Sequence, residues 1–335
     1  MKFSIAITTY NRPANLCKLI GQIGMCIPKP ETILVVDSSS EFNSFAGNHK
    51  SITYIRSSHK NQPYQRYLAY LKCKSEIIIF LDDDLEIIDS TVFEVMLDRM
   101  GRQGIRGVSV GFQHHNAISD IMESGVDSKS KMFKFINFIS GVPILKPGKI
   151  YLVGLAGARL QEEGYVDYFN GAIMGFYRAE LISLYDPILF SLFERKLGMG
   201  EDKVISMPLG LAKKLWFVPH HFFIHPPLES NYFLDVLSFQ RKVLFSRLFI
   251  SLQLGKHKRY LKVFIYFHYY YFASWRLMIA GIRCLIKPEK KNGDLIKGIL
   301  QGVLLTFTLP FNSKEITPDI DWQLDAKNDT NNIAK

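Results

Sequence analysis

Glu76-Ile77-Ile78-Ile79-Phe80-Leu81-Asp82-Asp83-Asp84 is the stretch that decides the fold. Its unbroken apolar run, rich in isoleucine and closed by three aspartates, reads as a strand buried on both faces, the pattern of a parallel sheet. Working outward, residues 3–9 and 32–37 are runs of the same kind that also end in polar residues, and 52–55 is a further strand. Between them Pro13 stands where a helix would begin, 15–23 has helical apolar spacing, and Pro63 opens a helix through 71. On the other side, 89–100 reads as a capped helix and 107–112 as a strand. This alternation predicts an open, doubly wound α/β sheet.

Beyond it, residues 113–148 dissolve into Ser, Lys, Gly and Phe and predict a long mobile loop. Regularity returns at 165–177, in a helix near Glu201, and in strands at 215–218 and 222–225. After Pro227 the character changes to long aromatic, basic helices at 232–254, 259–286 and 294–309. The chain therefore divides into a sheet domain at 1–230, a helical appendage at 231–311 and a polar tail at 312–335, predicted to be disordered.

A chain of 335 residues, 47% hydrophobic, can bury the core of one large domain with an appendage. Cys17, Cys26, Cys73 and Cys284 are scattered, which argues against a disulfide or zinc framework and for a cytosolic protein. The apolar run at residues 3–9 is too short for a signal peptide, so no export from this end is expected. The net charge of +10 is uneven: 231–311 holds 13 Lys/Arg against 3 Asp/Glu, whereas the first 230 residues hold 25 against 23. No helix-turn-helix, zinc-finger or RNA-binding signature accompanies the basic stretch, so nucleic acid is not an expected partner.

Ligands of open α/β sheets bind beyond the carboxyl ends of the strands. Three strands deliver polar residues there: Thr8-Thr9-Tyr10-Asn11-Arg12, Asp37-Ser38-Ser39-Ser40 and Asp82-Asp83-Asp84. Three adjacent carboxylates repel one another unless a cation offsets them. A hard divalent ion held by one or two of them and by substrate phosphates would do so; a solvated acidic turn capping the next helix is the alternative. Gly198-Met199-Gly200-Glu201-Asp202 precedes a helical pattern. Acids there suit any helix N-terminus, and a carboxylate fixed at such a point could also serve as a general base.

The ordered set Ala6-Ile7-Thr8-Thr9-Tyr10-Asn11-Arg12-Pro13, Leu34-Val35-Val36-Asp37-Ser38, Phe80-Leu81-Asp82-Asp83-Asp84 and Gly200-Glu201-Asp202 resembles the family 2 glycosyltransferases of GT-A fold, over roughly residues 1–230. The resemblance implies a mixed, doubly wound GT-A sheet and an inverting transfer of a sugar from a nucleotide-sugar donor to a hydroxyl acceptor. It implies that Thr8, Tyr10, Arg12, Asp37, Arg66, Asp82 and Asp83 serve the donor, with Asp82 and Asp84 as the ends of an Asp-x-Asp motif. Arg66 is the one match in Tyr64-Gln65-Arg66-Tyr67 to the family's Ala-Arg-Asn stretch. Gly171, in Asn170-Gly171-Ala172, and Glu201 fall on the sugar and acceptor side, and Asp202 is implied as catalytic base. Asp84 and a late histidine, His225 in preference to His220 and His221, are implied to hold Mg²⁺ or Mn²⁺.

The longest charge-free runs of the appendage fall short of the roughly 20 apolar residues that a membrane span needs. Arg241, Arg247, Lys262, Arg276 and Arg283 stand among Phe, Tyr and Trp, as at an anionic membrane surface. The expectation is therefore a cytoplasmic enzyme, peripheral on the inner face of the membrane, acting on a saccharide or lipid-linked saccharide for a cell-surface polysaccharide or glycolipid. Three alternatives stay open: an aromatic bundle packed on the sheet domain with its charges solvated, a non-catalytic membrane-associated module, and a sugar-nucleotide pyrophosphorylase. The last would want a Gly-rich basic loop after the first strand, and residues 8–12 contain no glycine.

Overall fold

The computed structural model describes residues 1–41, 43, 46, 51–114, 145–181, 184–225, 235–309, 311 and 320–331. Strand β1 (Phe3–Thr9) leads through α1 (Pro13–Ile23) to β2 (Thr32–Asp37) and β3 (Ile52–Arg56). Helix α2 (Gln62–Lys72) precedes β4 (Ile77–Asp82) and the short β5 (Glu86–Ile87), and α3 (Val92–Met100) precedes β6 (Gly107–His114). After β7 (Gly164–Tyr165) and β8 (Ile173–Tyr177) come α4 (Pro187–Glu194), α5 (Glu201–Leu211) and β9 (Leu215–His225). The helices α6 (Val236–Lys258), α7 (Lys262–Ile286), α8 (Lys290–Thr308) and α9 (Trp322–Asn331) complete the order.

The strands form one sheet in the order β3-β2-β1-β4-β8-β6-β9-β5, with β7 on β9. The pairs β1–β2, β1–β4 and β2–β3 are parallel, whereas β8 runs antiparallel to both β4 and β6, so the sheet is mixed as expected. Alternation along the strands fills a core on each face. Ile5, Ile7, Ile77 and Ile79 meet α1 and α3 through Leu16, Leu19, Phe93 and Met96. Ala6, Leu34, Ile78 and Phe80 meet α2 through Tyr64, Leu68 and Ala69. Register sets Thr8 beside Asp82 and Thr9 beside Asp37, which brings three strand ends to one edge.

Several expectations change. Gln113 and His114 extend β6, while residues 115–144 of the expected loop lie outside the described residues. The regular stretch at 165–177 is two strands, and the strands at 215–218 and 222–225 are one, crossed by a register shift opposite Gly111. The tail expected to be disordered contains α9, whose Trp322 is buried against Tyr64, His59 and Phe190. Asp329 in α9 accepts hydrogen bonds from Ser58 and Tyr64, so a few anchoring contacts order an otherwise polar segment. The appendage packs on the sheet domain: Phe245, Leu248 and Phe249 of α6 sit in the same core as α2, α4 and α5. Arg247 is only partly exposed. Burial holds its pKa below the ordinary value, at about 10, and it donates to the Val153 carbonyl at 3.1 Å. Among the described residues no helix is long and apolar enough to cross a membrane.

Candidate active site

Asn11 adopts φ 52° directly after β1 and donates its backbone N–H to Ser39 Oγ at 2.7 Å. A left-handed residue ends the strand at once, and Arg12 turns back over the end of β4. Its guanidinium bridges Asp83 Oδ1 at 3.0 Å and Asp84 Oδ2 at 2.8 Å. Thr9 Oγ1 donates to the other Asp83 oxygen at 2.6 Å. Asp83 is thus buried and fully engaged; burial pushes its pKa up to about 6 against the opposing pull of Thr9 and Arg12. Asp84 differs. Its Oδ1 is buried and accepts no hydrogen bond, and His225 Nε2 stands 3.5 Å away at the end of β9.

That orphaned oxygen beside a histidine fits a divalent cation. Among the described residues no group of three or more His, Cys, Asp or Glu side chains gathers around one point. An ion here would have two protein ligands and take the rest of its coordination from substrate oxygens and water, the usual arrangement for Mg²⁺ in nucleotide sites. His220 instead faces Asp89 at 3.3 Å, away from the three aspartates.

Asp82 points to the other side, toward α2. Its Oδ1 accepts from Gln62 Nε2 at 2.9 Å and from Arg66 at 3.1 Å. Arg66, with only 2% of its side chain exposed, also donates to Glu201 Oε1 at 3.1 Å. Burial opposes the Arg66 charge, but its two carboxylate partners outweigh that and raise its pKa, while burial raises those of Asp82 and Glu201. Arg66 thus ties the Asp82 end of the site to the start of α5.

That helix begins at Gly200, whose φ of 76° is a conformation glycine adopts without strain. The turn sets Glu201 toward Arg66 and Asp202 toward the segment before β8. Asp202 Oδ2 accepts the Gly171 N–H at 2.5 Å, and Lys203 Nζ lies 4.0 Å from the same oxygen. Ala172, at φ 62°, stores backbone strain of order 1 kcal/mol in the turn that aims this N–H. Its carbonyl accepts from Asp82 N at 3.0 Å, which ties the two halves a second time.

A cavity of about 300 Å³ lies over the ends of β1 and β2, lined by Thr9, Arg12, Asp37, Ser39 and Asn43 among others. Asp37 forms part of it but is almost wholly buried, with one oxygen held by Ser39 and the other by the Tyr54 hydroxyl at 2.5 Å. Thr8 is buried within β1, and Tyr10 is exposed with Lys60 Nζ 3.3 Å from its ring centroid. The structure thus gathers Arg12, Asp83, Asp84 and His225 at one point and Arg66, Asp82, Glu201, Asp202 and Gly171 at a linked second one. Sequence reading missed Gln62 and Gln65. Gln65 is buried and donates to the Thr9 and Val36 carbonyls at 3.0 and 2.9 Å, closing the ends of β1 and β2. Their signal was two amides on the inward face of a helix.

Residues 4–144 match the model of Glycosyl transferase family 2. No curated protein matches the chain in sequence. Its fold is similar to that of residues 1–349 of S. aureus TarS, with a TM-score of 0.52 and 12% identity, covering 99% of this chain and 89% of that one. The same protein in complex with UDP-GlcNAc gives 0.52 and 11%, covering 90% and 82%. The mannosyltransferase PcManGT of Pyrobaculum calidifontis, in complex with GDP-Man and Mn²⁺, gives 0.47 and 11%, covering 91% and 87%.

Proposed function

We propose, on the match of residues 4–144 to the model of Glycosyl transferase family 2, that the chain moves a sugar from a nucleotide-sugar to an acceptor hydroxyl in one inverting displacement. The observation that carries this reading is the Arg66 bridge from Asp82 to Glu201. It links the turn of Asp84, whose buried Oδ1 accepts no hydrogen bond and stands 3.5 Å from His225, to the helix start of Asp202, held by the Gly171 N–H.

The nucleoside diphosphate lies over the cavity at the ends of β1 and β2, with Arg12 on its wall. Asp84 and His225 would hold a divalent cation, which would supply positive charge against the negative charge growing on the departing diphosphate. Asp202 accepts the proton of the acceptor hydroxyl as that oxygen attacks the anomeric carbon from the face opposite the leaving group. A single displacement inverts the anomeric configuration, as in inverting glycosidases. The Gly171 N–H and Lys203 hold the Asp202 carboxylate in place. Glu201, neutralised by Arg66, borders the sugar side and does not compete for the proton.

Release of nucleoside diphosphate from UDP-, GDP- and dTDP-sugars, with Mg²⁺ or Mn²⁺, tests the assignment. Turnover with at least one donor is expected, together with loss of metal-dependent diphosphate affinity in Asp84→Asn by calorimetry. Unchanged affinity in that variant would remove Asp84 from the site.

The acceptor is a saccharide or lipid-linked saccharide of the cell surface, met at an anionic membrane from the cytoplasmic side. Support for this comes from α7. Phe264, Phe267, Tyr271, Met278, Ile282 and Leu285 recur at helical spacing and are all exposed, Phe267 at 70% and Leu285 at 85%. Arg259 and Lys262 stand at one end of this stripe and Arg283, Lys287, Lys290 and Lys291 at the other. Apolar residues between cations suit docking on an anionic leaflet without crossing it. Flotation with phosphatidylglycerol-containing vesicles should be strong at low salt and weaken steeply as the Debye length falls. Equal binding to neutral vesicles at high salt would point to insertion, and absence of binding to a water-facing bundle.

A further inference from the structure

A second, larger cavity of about 380 Å³ opens between α4, α6 and α7, away from the aspartates. Phe249, Leu252 and Ile265 form apolar wall, and Lys256, Arg259 and Lys262 also line it. Among the described residues no carboxylate lines it. Asp186, which lies within electrostatic reach of Lys256, is already committed to capping α4 through the Ile188 and Leu189 N–H groups at 3.0 and 3.1 Å. Its volume lies in the range of small-molecule sites, about 300–1,000 Å³.

The cations are placed by the chain reversal between the helices. Arg259 ends α6 in the left-handed conformation at φ 56°, and the next residue, Tyr260, donates its backbone N–H to the Gly255 carbonyl at 3.0 Å. The two helices approach closely there: a Cβ at Gly255 would stand 2.1 Å from Ile265 Cδ1 and would push that side-chain end aside. The close approach of α6 and α7 at that point brings Lys256, Arg259 and Lys262 to one mouth over an apolar floor. Leu261 and Val263, each 73% exposed, flank Lys262 and continue into the stripe on α7. The mouth therefore opens beside the surface assigned above to the membrane.

Three cations around an apolar chamber would repel one another when empty and would be neutralised by a phosphate whose substituent is aliphatic. A hydrophilic phosphate would leave the wall unused, and a neutral amphiphile would leave the cations unpaired. We propose that this cavity binds a single anionic phospholipid, its phosphate against Lys256, Arg259 and Lys262 and the start of an acyl chain against Phe249, Leu252 and Ile265. The inference rests on the membrane-docking reading of α7 and gives that surface a specific lipid site.

Calorimetry of the full chain with dihexanoyl phosphatidylglycerol below its micellar concentration provides the test, with dihexanoyl phosphatidylcholine and inorganic phosphate as controls. Expected are one saturable site for the glycerol lipid, at least tenfold tighter than either control, and at least a tenfold loss in Arg259→Glu and in Leu252→Trp, which fills the chamber. Arg259 is exposed at a helix end, so its substitution leaves the core intact should the tryptophan disturb folding. Equal affinity for the two lipids, phosphate binding as tight as the lipid, unchanged affinity in Arg259→Glu, or no saturable binding would each overturn the proposal. Vesicle flotation separates the two readings. Flotation without a saturable short-chain site leaves docking and removes the cavity, whereas a saturable site without flotation does the reverse.

Discussion

Replacing Arg66 by Met tests whether the two halves of the site are held together by one buried charge. The guanidinium makes ion pairs of 3.1 Å to Asp82 and 3.1 Å to Glu201. Methionine fills the stem volume but leaves both carboxylates facing each other without a cation. Removing one partner of a buried pair costs about 3–5 kcal/mol, because the remaining charge stays desolvated. Asp82 keeps 24% of its side chain in reach of water, which sets the expectation at the low end, about 3 kcal/mol. At about 2–4 °C per kcal/mol, the melting temperature should fall by roughly 6–12 °C. Thermal and urea denaturation read the loss, and the triple variant Arg66→Met, Asp82→Asn, Glu201→Gln should recover most of it, since no uncompensated charge is left. Sugar transfer should not recover, because the orientation of Asp82 and Glu201 is lost. A single variant within 1 kcal/mol of the parent, or a triple variant no more stable than the single one, would refute the reasoning.

Asp202→Asn should retain donor affinity and lose transfer by about two or more powers of ten, the scale of a general base, as read in single-turnover kinetics; a near-parental rate would leave the residue as a helix cap. Trp322→Ala removes the aromatic anchor of α9 from between Tyr64, His59 and Phe190, and about 3 kcal/mol or more of local stability should go with it. Hydrogen exchange should then rise in α9 and at the start of α2, and unchanged protection would show that the Asp329 contacts suffice. Glu163, held by a two-pronged pair with Arg99 at 2.8 and 2.9 Å, has its pKa lowered to about 2, mainly by that hydrogen bonding. A depressed carboxylate contributes stability above its unfolded value near 4.5 that is lost as pH falls toward 2. The deficit of Glu163→Gln should accordingly be present at pH 7, under about 1 kcal/mol after solvent screening, and should vanish across that acid window.

What the sequence determined by itself follows from local periodicity. Strands buried on both faces leave unbroken apolar runs, so β1, β2 and β4 and their polar ends were legible, and with them Arg12, Asp83 and Asp84 as neighbours at one edge. The Gly200 turn was legible because glycine before two acids marks a helix start. Partnership was not, because it depends on contacts between residues far apart in the chain. That Asp83 is sealed by Thr9 while Asp84 keeps an open oxygen depends on which face of one turn each occupies. That Arg66 spans Asp82 and Glu201 depends on α2 and α5 packing into one core on the same face of the sheet. Composition misjudged α9, since a polar helix with one buried tryptophan looks disordered until Tyr64 and Phe190 supply a surface for it. It also made Arg247 look like a surface charge, because burial is a property of the packed α6 and not of its sequence.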